Sequence, residues 1–214
     1  MEELKVYKGN SRAEHHCVLE GVVWDRQELI DFYNKFDESC HLPWNEFKKK
    51  YNPNNPYRKT LTDKFRQIYS PNLEGKELIE YPIIQKLIKQ FNFKVPLSVT
   101  DVQILAYEPG FEFVPHIDQE VEISIMIPII PEDGGEPLTF LEGDDFRNPG
   151  KEIYKVYYST EHPTLVTGKT IHSVEKMKDY RVVLRLRTNG ETYEDVMKKH
   201  DNNEFILKKN LVML

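Results

Sequence analysis

Residues 181–187 read Arg-Val-Val-Leu-Arg-Leu-Arg. Consecutive side chains of a β-strand point to opposite faces of a sheet, so this segment would have two unlike faces. One face carries Arg181, Val183, Arg185 and Arg187, and the other carries Val182, Leu184 and Leu186. If helices cover the apolar face, Arg181 points away from them, into the interior of a β roll. An unpaired guanidinium is costly there, and a dicarboxylate would pair with it through two hydrogen bonds.

Short runs rich in β-forming residues fill the chain upstream of this segment, back to residue 97. Turn sequences such as Pro109-Gly110 and Asp133-Gly134-Gly135 separate them. The predicted strands are 102–107, 111–118, 122–130, 138–141, 153–158, 164–166, 170–174 and 181–187. Strands of this number and spacing favour a mainly β fold with flanking helices, built on a double-stranded β-helix, or cupin-like jelly roll.

Two amphipathic helices are predicted in front of these strands. The segment Asp25–Glu28 resembles a capping box, and apolar residues follow it at helical spacing as far as Phe36. Pro82 suits the first position of a second helix, whose apolar face would run from Ile83 to Phe91. Both helices should pack on the outside of the β core.

The sequence predicts a single domain, 1–214, in three parts. Residues 1–96 would supply helical support and a substrate loop region, 97–188 the double-stranded β-helix core, and 189–214 a C-terminal extension with a short helix at 192–199. The first 20 residues are predicted to be strand-like. Residues 42–74, rich in Pro, Asn, Tyr and Lys, are predicted to be a surface loop that is either a solvated connection or a substrate-gating segment.

Composition restricts the functional classes. The chain has 214 residues, of which 39% are hydrophobic, as in a folded globular protein. It contains neither a long apolar run nor the layout of a signal peptide. These features predict a cytoplasmic protein with no membrane partner. Its two cysteines, Cys17 and Cys40, are interpreted as reduced thiols. The net charge of −6, from 29 basic and 35 acidic residues, disfavours nucleic acid as a partner. The oligomeric state is left open.

A candidate metal site begins at His116-Ile117-Asp118. Residues two apart in a strand point to the same side about 6.6 Å apart, so an imidazole and a carboxylate can converge on one ion. His172 could complete the site, because it lies in a later strand-like segment that follows Gly168. Two histidines and one carboxylate on one face of an octahedron leave three positions open, as non-haem Fe(II) oxygenases require. The histidines at 15, 16 and 162 are not interpreted as ligands.

The order His116, Asp118, His172 and then Arg181 resembles the distributed motif of the Fe(II)/2-oxoglutarate-dependent dioxygenase superfamily. The similarity extends over about residues 101–188, and the short interval between His172 and Arg181 is similar to that of the prolyl-hydroxylase branch. The segment 133–140, Asp-Gly-Gly-Glu-Pro-Leu-Thr-Phe, is similar to the Gly-Gly-x-Leu turn and strand that these enzymes carry between their metal ligands.

This resemblance implies a chemistry and a role for each residue. His116, Asp118 and His172 would be the catalytic metal ligands for Fe(II), Arg181 would hold the 5-carboxylate of 2-oxoglutarate, and Tyr107 would hydrogen-bond the same carboxylate. With O2, such an enzyme couples decarboxylation of 2-oxoglutarate to succinate and CO2 to oxidation of a substrate C–H bond. A carboxylate at 118 favours hydroxylation over chlorination, because related halogenases have a small residue there.

Three functions remain open. The first is a hydroxylase of a small molecule, such as a free amino acid, or of a peptidyl residue. The second is a nucleic-acid oxidative dealkylase, which would share Tyr-x-Pro-Gly before His-x-Asp and two arginines six apart, as Arg181 and Arg187 are. Against it, such enzymes usually place that pair farther beyond the distal histidine and should have a basic face.

The third is a non-catalytic cupin-like binding protein, from which a ligand or the arginine should be missing. Arg185 and Arg187 are interpreted as arginines in ordinary surface ion pairs, with Arg187 also a candidate contact for an acidic substrate.

Overall fold

A computed structural model of the chain describes residues 4–35, 42–43, 65–68, 76–118, 120–131 and 133–207. The helices are α1 (Arg26–Tyr33), α2 (Pro82–Ile88) and α3 (Tyr193–Asp201), and single 3₁₀ turns occur at Leu78–Glu80 and Val99–Asp101. The strands before residue 100 are β1 (Lys5–Tyr7), β2 (Arg12–Ala13), β3 (His16–Val18), β4 (Leu42–Pro43) and β5 (Phe65–Ile68). The later strands are β6 (Val102–Tyr107), β7 (Phe113–His116), β8 (Ile123–Ile130), β9 (Leu138–Leu141), β10 (Glu152–Val156), β11 (Thr164–Thr167), β12 (His172–Val174) and β13 (Arg181–Thr188).

These strands form two sheets. The larger has eight strands in the order β2-β3-β11-β8-β13-β6-β5-β4, and the smaller has five in the order β1-β10-β9-β12-β7. The described pairings are antiparallel except for β1 with β10. From β6 to β13 consecutive strands alternate between the two sheets, except for β9 and β10, which pair in the smaller one. This is the double-stranded β-helix that the sequence predicts, and the fold prediction is confirmed.

Two apolar layers hold the sheets. The outer layer lies between the large sheet and the helices, and the inner layer lies between the two sheets. On β13, Val182, Leu184 and Leu186 belong to the outer layer, whereas Val183 belongs to the inner layer. The predicted alternation of this strand is therefore confirmed, and the odd-numbered residues of β13 face the interior of the roll.

The helices cover the outside of the large sheet, as predicted, but their ends differ from prediction. The Asp25 side chain accepts a hydrogen bond from the Glu28 backbone N–H, and Arg26 Nε donates to the Ile129 carbonyl 3.0 Å away, which ties α1 to β8. Helix α2 ends at Ile88, before Phe91. The Phe91 residue is still buried, but it pairs as a β-bridge with Ile206 instead of continuing the helix.

The segment 42–74 differs from the predicted surface loop at two places. Strand β5 pairs with β6, and β4 pairs with β5, so both extend the large sheet. The loop prediction is wrong for these residues, because pairing with the free side of β6 outweighs the local composition. The Pro- and Asn-rich stretch 51–57, Phe36 and Cys40 lie outside the described residues.

The ends of the chain add to both layers. Strand β1 joins the small sheet and β3 the large one, in agreement with the predicted strand-like lead-in. Helix α3 begins after Thr192, whose hydroxyl accepts a hydrogen bond from the Asp195 N–H, and its buried residues join the outer layer. None of the helices in the described residues has the length and apolar character needed to cross a lipid bilayer.

Candidate metal centre

Two histidines face each other across neighbouring strands of the small sheet. His116 ends β7 and His172 begins β12, and the two residues are direct partners in the antiparallel pairing. Their ring centroids are 4.3 Å apart. Pairing of these strands therefore brings together two imidazoles that are 56 residues apart in sequence.

Asp118 completes the cluster from the segment that follows β7. One possible ligand atom from each of His116, Asp118 and His172 lies within 4.8 Å of the other two. Asp118 Oδ1 is 3.9 Å from His116 Nε2. These separations suit a single divalent ion between the three atoms, and a donor set of two imidazoles and one carboxylate fits Fe(II) with open positions.

Backbone carbonyls set the orientation of both imidazoles. His116 Nδ1 lies 2.8 Å from the Val114 carbonyl oxygen, and His172 Nδ1 lies 2.8 Å from the Thr170 carbonyl oxygen. A carbonyl oxygen can only accept, so each Nδ1 carries a proton in the neutral ring. Each Nε2 is therefore the nitrogen with a lone pair for a metal, as is usual for ligating histidines.

The electrostatics favour the metal-binding forms of His172 and Asp118. Burial, followed by the neighbouring His116, lowers the pKa of His172 to about 4. Burial alone would raise the pKa of Asp118, but the charge of Arg185 and then the two imidazoles outweigh it and lower the pKa to about 2. At neutral pH His172 is thus neutral and Asp118 is ionised, which are the states that bind metal.

Arg181 is a buried cation of the same interior. It is only 2% exposed, and its Nη1 donates to the Glu136 carbonyl 3.0 Å away. Its guanidinium carbon lies 4.8 Å from the centre of the Tyr158 ring, and its buried Nε has no hydrogen-bond partner among the residues that the structure describes. No carboxylate of the described residues forms an ion pair with it. A buried guanidinium of this kind favours an anionic ligand.

The Gly134-Gly135 turn leaves room for the Arg181 side chain. Gly135 has φ +74°, a left-handed conformation that favours glycine. A Cβ at this position would lie 3.4 Å from Arg181 Cδ and 3.5 Å from Pro131 Cδ. The turn that carries the family resemblance in sequence thus lies directly against the buried cation.

Tyr107 lies opposite Arg181. The two residues are partners in the pairing of β6 with β13, and the Tyr107 ring packs against Phe111 and Phe113. Burial raises the pKa of Tyr107 well above its usual range, although Arg181 opposes that shift. The charges of Arg181, Arg185 and Asp118 all act on Tyr107 and on Tyr158, so these groups share one interior region.

Three residues of the site were not identified from the sequence: Arg185, Ser124 and Tyr158. The predicted surface ion pair of Arg185 is wrong. Its Nη2 donates to Asp118 Oδ2 at 2.7 Å and its Nε donates to Ser124 Oγ at 2.9 Å. The signal was present, since Arg185 shares the inward face of its strand with Arg181.

The predicted surface ion pair is also not observed for Arg187 in the described residues, because its Nε donates to the Thr100 carbonyl. Nothing in the sequence around Tyr158 distinguishes it from an ordinary strand aromatic.

The chain is distantly similar to several solved structures. No protein-family model matches the chain, and no curated protein matches it. Among solved structures, a prolyl hydroxylase from Trichoplax adhaerens in complex with a peptide fragment of hypoxia inducible factor is 13% identical, with 81% of this chain and 82% of that chain covered and a TM-score of 0.46.

Two further structures are similar over different lengths. A 2OG-Fe(II) oxygenase family oxidoreductase from Burkholderia pseudomallei is 14% identical, with a TM-score of 0.36, and the match covers 54% of this chain and only 58% of that one. The non-haem alpha-ketoglutarate-dependent epimerase SnoN is 14% identical, with 80% and 76% covered and a TM-score of 0.41. The arrangement of ligand atoms described above does not depend on these similarities.

Proposed function

We propose that the chain is an oxidoreductase that uses Fe(II), 2-oxoglutarate and O2 to hydroxylate a C–H bond of a small molecule, such as a free amino acid, or of a peptidyl residue. The observation that carries the proposal is the combination of two features in one interior. A cluster of two imidazoles and a carboxylate suits a metal, and a buried arginine with no carboxylate partner among the described residues suits an anion.

His116, Asp118 and His172 would hold the iron. They offer two imidazole nitrogens and one carboxylate oxygen, and backbone hydrogen bonds already fix the direction of both rings. When bound, Fe(II) and 2-oxoglutarate supply the oxidation of the substrate C–H bond by O2, with succinate and CO2 as co-products. The protein contributes a rigid set of three donors that occupies only part of the coordination sphere.

Arg181 and Tyr107 would hold the far carboxylate of 2-oxoglutarate. The guanidinium is buried, and its Nε has no hydrogen-bond partner in the described part of the chain. An ion pair with a carboxylate is stronger in such a setting than in water. Tyr107 stays protonated near neutral pH and can donate its hydroxyl proton. These two residues on paired strands would orient the cosubstrate towards the metal.

The inner layer would exclude water from the reaction. Phe113 lies against His116 and Phe140 lies near His172, while Phe111 packs on Phe113. His116 and Asp118 are the more open side of the cluster, with side chains 30% and 25% exposed, whereas His172 is buried. Substrate would therefore approach from the side of His116 and Asp118.

Anaerobic addition of Fe(II) and 2-oxoglutarate to the apo protein tests this proposal. Chelation should produce a weak visible charge-transfer band, which should be lost in His172→Ala and should need more 2-oxoglutarate in Arg181→Ala. The second variant loses a charge-assisted pair worth about 2 kcal/mol, or roughly a thirtyfold change in affinity. A folded wild-type protein that never gives the band would contradict the proposal. If the band appears, measuring succinate release with different compounds would identify substrates.

A further inference from the structure

The backbone of Asp118 is held tightly by the turn at Gly168. The Asp118 N–H donates to the Gly168 carbonyl at 2.9 Å, and the Gly168 N–H donates to the Glu122 carbonyl at 2.9 Å. A Cβ at Gly168 would lie 3.0 Å from Asp118 Cβ and 2.5 Å from the Val121 carbonyl oxygen. The main chain at Asp118 therefore has little freedom, and the remaining freedom belongs to the carboxylate.

The carboxylate is held by a side chain of the opposite sheet. Arg185 Nη2 donates to Asp118 Oδ2 at 2.7 Å, and Arg185 Nε donates to Ser124 Oγ at 2.9 Å. The side chains of Arg185 and Asp118 are 15% and 25% exposed, so solvent screens this ion pair only partly. Because β8 supplies Ser124 and β13 supplies Arg185, the large sheet fixes the carboxylate of Asp118, a candidate metal ligand that follows strand β7 of the small sheet.

The two oxygens of Asp118 consequently have different surroundings. Oδ2 is occupied by Arg185, whereas Oδ1 faces the histidines and lies 3.9 Å from His116 Nε2. We propose that Arg185 is a positioning residue that holds Asp118 so that only Oδ1 is presented to the metal. A freely rotating carboxylate could bind through both oxygens and take one of the three open positions. This inference rests on the proposed function for the presence of the metal.

Arg187 provides a matched control for the charge of Arg185. It is the next inward-facing residue on β13, and its charge also acts on Asp118, but its Nε donates to the Thr100 carbonyl. No hydrogen bond joins Arg187 to Asp118. A general effect of positive charge should therefore appear in variants of both arginines, whereas positioning should depend on Arg185 alone.

The test is a titration of the apo protein with Co(II) alone, followed by its visible absorption, in the wild type, Arg185→Met and Arg187→Met. We expect Arg185→Met to bind Co(II) about ten- to a hundredfold more weakly, as for other residues that orient metal ligands, and to change the absorption spectrum through altered coordination. Arg187→Met should stay within about threefold of the wild type and keep its spectrum. Equal affinities and spectra in the two variants would overturn the inference.

Further variants cover the case in which Arg185→Met does not fold, as judged by circular dichroism. Arg185→Lys keeps the charge but loses the planar fork, and it should weaken Co(II) binding at least about threefold and alter the spectrum, whereas Arg187→Lys should do neither. If Arg185→Lys equals the wild type, directional positioning is wrong. A folded wild-type protein that binds no Co(II) overturns the proposed function as well, which separates the two failures.

Discussion

At the scale of single residues, His16 is a fully buried titratable group outside the candidate metal centre. Its Nε2 lies 3.0 Å from Ser11 Oγ, and the ring packs against Tyr7 and Tyr154. Burial, followed by the neighbouring His15, lowers the pKa of His16 to about 4 from its ordinary value of 6.5. The folded protein therefore keeps this imidazole neutral in mildly acidic solution.

This shift predicts a loss of stability in acid. Between pH 6.5 and 4 the unfolded chain binds a proton at His16 and the folded chain does not, so the free energy of unfolding falls as the pH falls. The difference between the two pKa values corresponds to about 3 kcal/mol from this residue once the pH is below 4. Chemical denaturation across this range should show a shallower pH dependence in His16→Gln. Parallel curves for the two proteins would contradict the assignment.

At the scale of elements, the turn between β8 and β9 has a direct effect on the candidate anion site. Gly135→Ala would put a methyl group against Arg181 Cδ at a position where φ is +74°. A shift of the guanidinium costing about 1 kcal/mol would weaken 2-oxoglutarate binding about fivefold. Titration of the charge-transfer band in the Fe(II)-loaded protein measures this change.

Gly9→Ala is the control for backbone strain in this experiment. Gly9 also has a positive φ, +63°, but a Cβ there would meet no atom of the described residues within 4 Å. Both substitutions should cost about 1–2 kcal/mol of stability, since each places an L side chain in the left-handed region. Only the Gly135 variant should bind 2-oxoglutarate more weakly, and an equal loss in both would show that the turn does not act through Arg181.

At the scale of the whole molecule, side chains buried in the outer layer should contribute strongly to stability. Leu184 lies at the centre of the large sheet, fully buried, with Ile104 and Ile127 as its strand partners. Leu184→Ala should lower the free energy of unfolding by about 2–5 kcal/mol. Val114→Ala, at a side chain that is 56% exposed, should change it by less than about 0.5 kcal/mol. Urea denaturation of both variants tests this, and similar midpoints would contradict it.

The parts of the molecule that could be predicted from sequence are those with a local signal. Alternation in β13 was sufficient to predict the two layers. The order of His116, Asp118 and His172 was sufficient to select residues that lie together, although β7 ends at His116 and Asp118 follows it instead of lying in the predicted strand 111–118. Pairing with a distant edge has no such signal, which is why β5 was not predicted. The Arg185 contact was missed for the same reason, because hydrogen bonds between sheets depend on how the sheets face each other.

Because the two faces of β13 carry different residues, the candidate site depends on the register of this strand in the sheet. Val182, Leu184 and Leu186 belong to the outer layer, and the odd-numbered positions carry three arginines on the opposite face. A slip of one residue would exchange the faces, which would bury cations in the apolar outer layer and remove the partner of Asp118. Misfolded forms with such a slip are strongly unfavourable, so the arginines on the inward face of β13 also disfavour incorrect pairing of the sheet.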